Sequence, residues 1–393
     1  MNTLRLKKRE EKRIQSGHGW VFSNEIDTQQ TPLKGLEPGS PVTIETVNGK
    51  FLAHAYVNPH SLISGRVTSR RANEPFNATV LRTRLQHALD LRDYRFKKPY
   101  YRWVHSEGDF LPGLTVDRYG SVLVVQITTA GMECYRDEIV DALQALVGAT
   151  AIYLRNDGSI RELEHLPLYC EWAVGEPVEV LEIFENNLHF RVPATMGQKT
   201  GWFYDHRESR QAICEWVDGK KVLDLYTYLG AFGLNAAAAG ASSVLAIDSS
   251  QSATSAANDN AKLNKLDHIF TAQTSDAVEA MRTLYSEKEQ FDVVILDPPA
   301  FIKRRKDRDA GMRHYGLNNR LAMRLLNPGG IILSASCSQA LSHEDLLQQM
   351  RLGTPKGALG LQLLSTLRQG ADHPVHASMP ETLYLTGAIG RVV

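Results

Sequence analysis

Phe291-Asp-Val-Val-Ile-Leu-Asp297-Pro298-Pro299-Ala-Phe301 is an apolar run that ends on a carboxylate and two prolines. A continuous stretch of Val, Ile and Leu reads as a strand buried on both of its faces. Each proline fixes its own φ, lacks an N–H and biases the residue before it away from the helix, so the diproline forces an extended exit. Asp297 is then held rigidly at the strand tip. On either side of this stretch the same pattern recurs. Residues 222–225, 244–247 and 331–334 are further apolar strand candidates. Residues 232–239, 251–263, 275–284 and 317–326 have helical spacing between them. Strand–helix alternation at this period predicts an α/β fold with a doubly wound parallel sheet. Such sheets bind ligands outside the carboxyl ends of their strands.

Those ends carry the polar residues. After the first strand comes Asp224-Leu-Tyr-Thr-Tyr228-Leu-Gly230-Ala-Phe232-Gly233. Two glycines three apart in a strand-to-helix turn let backbone approach a ligand. A plain tight turn explains them equally well, because the G-x-G-x-x-G fingerprint is absent. The second strand ends at Asp248, 18 residues after Gly230, where a carboxylate suits the two hydroxyls of a ribose; an exposed helix cap is the alternative. Asp276 suits either an adenine amino group or a cap of the next helix. Of Cys134, Cys170, Cys214 and Cys337, only Cys337 sits at the carboxyl end of an expected strand, between Ser336 and Ser338.

The chain has 393 residues, enough for two or three domains, and ordinary hydrophobic (43%) and charged (22%) fractions. Lys plus Arg equals Asp plus Glu at 44 each, which excludes an overall basic coat or acidic tail. Charge is nevertheless uneven: residues 1–100 hold 17 Lys and Arg against nine Asp and Glu. Short strand candidates at 42–45, 51–56 and 62–67 predict a small β-barrel over residues 1–75. A helix at 79–95, a strand at 122–128 and a helix at 135–146 predict a smaller α/β domain over 76–190, and the wound sheet occupies 191–393. The basic group Arg5, Lys7, Lys8, Arg9, Lys12 and Arg13, with Arg66, Arg70 and Arg71 later, suits sequence-independent phosphate contacts. Trp20, Phe22 and Tyr56 read more readily as core than as exposed ring surface. With no C-x-x-C pair, neither a disulfide framework nor a cysteine zinc site is expected, and the cysteine usage suits a reducing, cytoplasmic compartment. No apolar leader opens the chain and no run of 18 apolar residues occurs, so no membrane partner is expected.

The ordered set Asp248, Asp276, Asp297-Pro-Pro and Cys337 resembles a class I S-adenosylmethionine-dependent methyltransferase. The chain as a whole is similar to the bacterial 23S rRNA 5-methylcytosine methyltransferase family known as RlmI. Gly19-Trp-Val-Phe22, Leu111-Pro-Gly-Leu-Thr-Val-Asp-Arg-Tyr-Gly120, Lys199-Thr-Gly-Trp-Phe-Tyr-Asp205-His-Arg207, Asp372-His-Pro-Val375 and Tyr384-Leu carry the likeness. It implies an N-terminal PUA-like RNA-binding domain, a central α/β domain and a Rossmann-like methyltransferase domain. It also implies S-adenosylmethionine as cofactor, with no metal, and 23S rRNA or a large-subunit precursor as RNA partner. Tyr204, Asp205 and Arg207 would line the cofactor or substrate entrance. Asp224, Tyr228, Gly230, Phe232, Asp248, Asp276, Asp297 and Pro298 would complete the cofactor site. The family pattern has Thr-Gly-Gly where this chain has Leu229-Gly230-Ala231, and Asp-Gln-Arg where it has Asp205-His206-Arg207.

Carbon 5 of cytosine is a poor nucleophile, and addition of a thiolate at carbon 6 makes it enamine-like. Cys337 is the candidate thiolate and Asp297 the group that bonds the base edge. The target base must leave any helix to meet both. Two other readings stay open: methylation of a different RNA atom with Cys337 structural, and a non-catalytic RNA-binding assembly factor whose cofactor site has decayed at Ala231. A nicotinamide dehydrogenase is a remote third. Whether the chain forms a homodimer is not legible.

Overall fold

The computed structural model describes residues 2–194, 201–302 and 304–393. Lys199 and Thr200 of the family-like segment lie outside the described residues. Contacts group the chain into two units: Met1–Leu181 with Pro193–Trp202 and Ala371–Thr382, and Glu182–Val192 with Phe203–Gly370 and Leu383–Val393.

The first unit holds two five-stranded sheets. One runs in the order Asn2–Arg5, Pro41–Glu45, Phe51–Val57, Ile63–Ser69, Trp20–Phe22. Alternate residues such as Val42 and Ile44 turn inward onto Leu4, Leu6, Val21 and Ala55 and form its core. The other runs Tyr169–Val174, Ala151–Asn156, Val122–Ile127, Leu114–Tyr119, Tyr100–His105. The helices Ala78–Arg95 and Arg136–Val147 share its core through Leu81, Leu85, Trp103, Ile139 and Leu143. Asn77 caps the first helix by accepting from the Val80 N–H at 3.0 Å. The Asp372-His-Pro-Val375 segment belongs to this unit for a visible reason. Buried Arg92 pairs with Asp109 through two bonds (2.6 and 2.7 Å) and donates to the Asp372 carbonyl at 2.8 Å. The Asp372 carboxylate in turn accepts from the Arg102 N–H at 3.1 Å.

The second unit is the wound sheet. Its strands are β1 (Lys221–Leu225), β2 (Ser243–Asp248), β3 (Phe270–Thr274), β4 (Phe291–Leu296), β5 (Leu326–Ser336), β6 (Leu361–Leu367) and β7 (Thr386–Val392). Its principal helices are α1 (Ala231–Ala238), α2 (Gln251–Leu263), α3 (Ala277–Ser286), α4 (Arg308–Arg324) and α5 (His343–Gly353). The strand order is β3-β2-β1-β4-β5-β7-β6. β3 to β5 pair in parallel, and β7 is antiparallel to both of its neighbours. Leu223, Val294, Leu296 and Ile332 are fully buried, as expected for strands covered on both faces.

Two expectations need correction. Helix α4 begins at Arg308 rather than 317, because its inward face includes Gly311, Tyr315, Asn318 and Asn319, which leave no apolar period to read. Leu326 belongs to β5 rather than to the helix, since it pairs with Phe291 across the sheet. Among the described residues, no helix is long and apolar enough to cross a membrane.

Candidate active site at the carboxyl ends of the sheet

β1 ends one residue after Asp224, whose carboxylate is buried. One of its oxygens accepts from the Thr227 hydroxyl (2.5 Å) and the Gly233 N–H (2.9 Å), fixing the turn into α1; the other is buried without a partner. Burial pushes this carboxyl up to about 7, against the two bonds that favour its charge, with Asp297 and Asp248 adding repulsion. Gly230 adopts φ +82°, and a Cβ on Gly233 would sit 2.7 Å from Phe270 and 3.0 Å from the Asp224 carboxylate. The glycine pair thus serves both the turn and the packing of α1 on the sheet. In the same loop Tyr226 (φ +63°) and Tyr228 (φ +52°) occupy the left-handed region, which side chains other than glycine rarely adopt. Tyr226 is held there by donating to Asn318 at 2.7 Å.

Asp248 closes β2 and accepts from the N–H groups of Tyr228 and Ser250, both at 2.9 Å. Asp276 follows β3 and caps α3, one oxygen accepting from the N–H groups of Val278 (2.9 Å) and Glu279 (3.0 Å). A carboxylate has about four acceptor positions, so these bonds leave capacity for a ligand. The acceptor-rich rim and the orphaned Asp224 oxygen fit S-adenosylmethionine, which presents ribose hydroxyls, amino groups and a sulfonium charge.

The next two strand ends are of different make. Leu296 lies opposite Ser334 in the β4–β5 pairing, so Asp297 and Cys337 emerge from neighbouring strands. Tyr315, fully buried on α4, stitches their exits together. Its hydroxyl shares hydrogen bonds with Ser336 (2.7 Å) and Ser338 (2.8 Å) and accepts from the Phe301 N–H (3.4 Å). Ser338 also accepts from the Ile302 N–H at 3.2 Å. Cys337 is half-buried between those two anchored serines. Pro298 is buried and Pro299 exposed.

Asp297 also meets a residue that the sequence showed only as a departure from the family pattern. His206, 4% exposed, places Nε2 3.3 Å from an Asp297 oxygen. Its ring stands edge-on to Phe232 at 5.4 Å, and its Nδ1 is buried without a partner. Burial disfavours the imidazolium, but Asp297 and Asp205 outweigh that effect and hold protonation above the ordinary histidine range.

Tyr204, Asp205 and Arg207 flank His206 and are buried or nearly so. Asp205 accepts from the Tyr384 hydroxyl at 2.5 Å, and the Arg207 guanidinium bonds Glu185 at 3.3 Å while lying over the Tyr204 ring. In the first unit the basic residues divide. Lys7, Lys8, Arg9 and Lys12 are exposed. Arg5 bonds Glu45 and Gln30, and Arg13 bonds the Trp20 carbonyl and Glu25. Arg66, 11% exposed, is a correction: its charge is spent on Glu107 and Glu164 rather than offered to phosphate. Trp20 and Tyr56 are likewise committed inward, donating to Glu107 (2.8 Å) and the Pro112 carbonyl (2.8 Å).

The pattern of the S-adenosylmethionine-dependent methyltransferase family matches residues 102–375, and that of a PUA-like domain matches residues 4–70. Ribosomal RNA large subunit methyltransferase I of Cronobacter sakazakii is 38% identical over 391 residues, covering 98% of each chain. The protein of that name from Serratia proteamaculans is 37% identical, covering 99% of each. Among solved structures, a proposed SAM-dependent methyltransferase from Streptococcus mutans superposes over the full length of both chains with a TM-score of 0.84 at 22% identity, a likeness of fold. With a wound sheet that ends in this acidic rim, and with relatives of such identity from end to end, the chain belongs to the S-adenosylmethionine-dependent methyltransferases, in the family of ribosomal RNA large subunit methyltransferase I.

Proposed function

We propose that this chain methylates carbon 5 of a cytosine in 23S rRNA, with Cys337 as covalent nucleophile. The observation that carries the reading is the emergence of Asp297 and Cys337 from adjacent parallel strands, braced by one tyrosine hydroxyl. Residues 1–75 serve as the RNA-binding domain, with Lys7, Lys8, Arg9 and Lys12 facing phosphate. Residues 76–190 form the central domain and residues 191–393 the catalytic one.

Bound S-adenosylmethionine supplies an electrophilic methyl group on a sulfonium. Asp224, Tyr228, Gly230, Phe232, Asp248, Asp276 and Pro298 would hold it, with the carboxylates available to its hydroxyl and amino groups. The Cys337 thiolate adds to carbon 6 of the flipped cytosine, and Asp297 bonds the base edge and favours protonation at ring nitrogen 3 as the adduct forms. Carbon 5 thereby becomes enamine-like and would be nucleophilic enough to take the methyl group as the sulfonium–methyl bond breaks, leaving S-adenosylhomocysteine. A base then takes the carbon 5 proton, and the electron pair left behind restores the 5,6 double bond and expels Cys337 as the thiolate.

Cys337→Ala should abolish methyl transfer to rRNA while calorimetric titration shows unchanged cofactor binding. RNA carrying 5-fluorocytosine should accumulate as an adduct joined to Cys337, because fluorine cannot leave as the proton does. Normal turnover by Cys337→Ala would falsify the covalent route. Mass mapping of the methylated nucleoside to another base or atom would remove the cytosine-5 assignment.

A further inference from the structure

A groove of about 560 Å³ lies within the first unit, lined by Arg70, Arg71, Arg84, Thr83, Phe110 and His376 among others. Phe110 is its odd member. It ends a short turn at Ser106–Asp109 with φ +59° and ψ +25°, the left-handed position that glycine usually fills. A bulky residue there is a strained choice. Burial does not repay the strain, since the side chain is 58% exposed. The strain is maintained from outside: Arg84 donates to the Phe110 carbonyl at 2.6 Å, and the His376 ring stands edge-on at 5.1 Å. Held strain of this kind collects at functional positions.

Charge in the groove is also unusual. Arg70 donates to the carbonyl oxygens of Ile14, Gly17 and His18, and Arg84 to those of Phe110 and Thr68. Among the described residues, neither guanidinium forms an ion pair with a carboxylate. Arg71 is largely exposed, with a single surface pair to Glu74. Glu74 and Glu107 also line the groove, but Glu74 pairs with Arg71 and Glu107 with Arg66, which leaves Arg70 and Arg84 as its cations without an ion pair among the described residues. An exposed ring face beside two such guanidinium groups is a combination that binds single-stranded nucleic acid, by base stacking with phosphate contacts. The groove volume also falls within the range of about 300–1,000 Å³ typical of small-ligand sites.

We propose that this groove holds an unpaired nucleotide of the RNA, its base stacked on Phe110 and its flanking phosphates met by Arg70, Arg71 and Arg84. The proposal rests on the reading of RNA as substrate and adds a reader outside the catalytic unit, one that selects unpaired over duplex segments.

The test uses the full chain and fluorescence anisotropy with a 12-nucleotide single-stranded RNA of mixed sequence and the matching blunt duplex. Phe110→Gly should bind the single strand about tenfold more weakly, as loss of one stacked base predicts. Its duplex affinity should not change. Its melting temperature should not fall, because glycine relaxes the left-handed backbone. Phe110→Tyr should keep wild-type affinity, and Arg71→Glu should weaken binding and lower the salt dependence. A folded Phe110→Gly protein with wild-type affinity for the single strand overturns the groove and leaves the methyl-transfer reading untouched. Equal weakening on both probes overturns the preference for unpaired RNA. A wild-type protein that binds neither probe while Cys337-dependent transfer to rRNA persists overturns the groove alone; absence of both binding and transfer overturns the two readings together.

Discussion

The ends of β1 and β2 and the ends of β4 and β5 lie along one sheet but are built from opposite materials. The first pair presents carboxylates, Asp224 and Asp248, which tie down the backbone of a loop with two left-handed tyrosines. The second pair is braced mainly by neutral hydroxyls, Tyr315 with Ser336 and Ser338, plus one imidazole–carboxylate contact. Acceptors that keep spare lone pairs are suited to recognise a ligand rich in donors and positive charge. A hydroxyl network that consumes its own valences is suited to hold backbone still and so to fix the position of the residue between its anchors. In the proposed reaction, recognition and chemistry are thus separated along the sheet.

That separation is breakable by experiment. Replacing the sulfur alone, Cys337→Ser, should reduce turnover about a thousandfold or more with cofactor affinity unchanged, the scale on which loss of a covalent nucleophile acts. A parallel loss of cofactor binding would show that the two halves are one. On the acidic side the largest effect is on stability. Asp224 has its carboxyl raised from 3.8 to about 7 in the folded chain. Its contribution is therefore full below pH 4 and is lost as pH rises through 7. At about 1.4 kcal/mol per pKa unit that loss is roughly 4 kcal/mol. Asp224→Asn should remove this slope, gaining on wild type in urea denaturation at pH 8 relative to pH 5. A constant difference at the two pH values would mean that Asp224 is ionised throughout.

The contrast between the halves also explains what the sequence makes legible. β4 and α2 coincide with the stretches 291–296 and 251–263, because a strand buried on both faces is a plain apolar run and α2 keeps its apolar spacing. The carboxyl-end positions of Asp248, Asp297 and Cys337 follow directly from that alternation. The bracing of the second half is not legible in this way. Tyr315 lies on the inward face of α4 among glycine and asparagines, where apolar period fails, and its partners are remote in sequence. The antiparallel strands β6 and β7 are hidden as well. Four of the seven residues of β6 are exposed, and β7 carries two glycines, so neither shows the buried apolar run that marks the others. In the sequence His206 is only an unusual neighbour of Asp205, since it is the folded sheet that brings it to Asp297.

A smaller effect is expected from Tyr315→Phe, which removes one hydroxyl and leaves Ser336, Ser338 and the Phe301 N–H each short of a partner. Ser336 still accepts from the Ser338 N–H at 3.0 Å, and Ser338 from Ile302, so the loss is partial. Destabilisation of about 2 kcal/mol should result. Turnover should fall while cofactor affinity, measured calorimetrically, does not change. A variant that weakens cofactor binding instead would place Tyr315 with the acidic half and erase the contrast.

His206→Gln should have the mildest effect and sharpen the comparison most finely, because it removes a charge from the reactive half without removing the hydrogen bond. Burial opposes the imidazolium most strongly, Asp297 and Asp205 favour its proton, and Arg210 opposes it. The net result is a folded pKa above the unfolded value of 6.5. A histidine shifted in that direction adds stability in full below pH 6.5 and loses it as pH rises through the raised value. Glutamine can still donate to Asp297 but carries no proton to lose. The variant should therefore be less stable than wild type by about 1 kcal/mol at pH 6, with the gap closing by pH 9. Methyl transfer by wild type should show an alkaline decline that the variant lacks, since the proton that leaves His206 is the one that balances Asp297. Identical pH profiles for the two proteins would mean that His206 is neutral throughout and that Asp297 carries its charge alone.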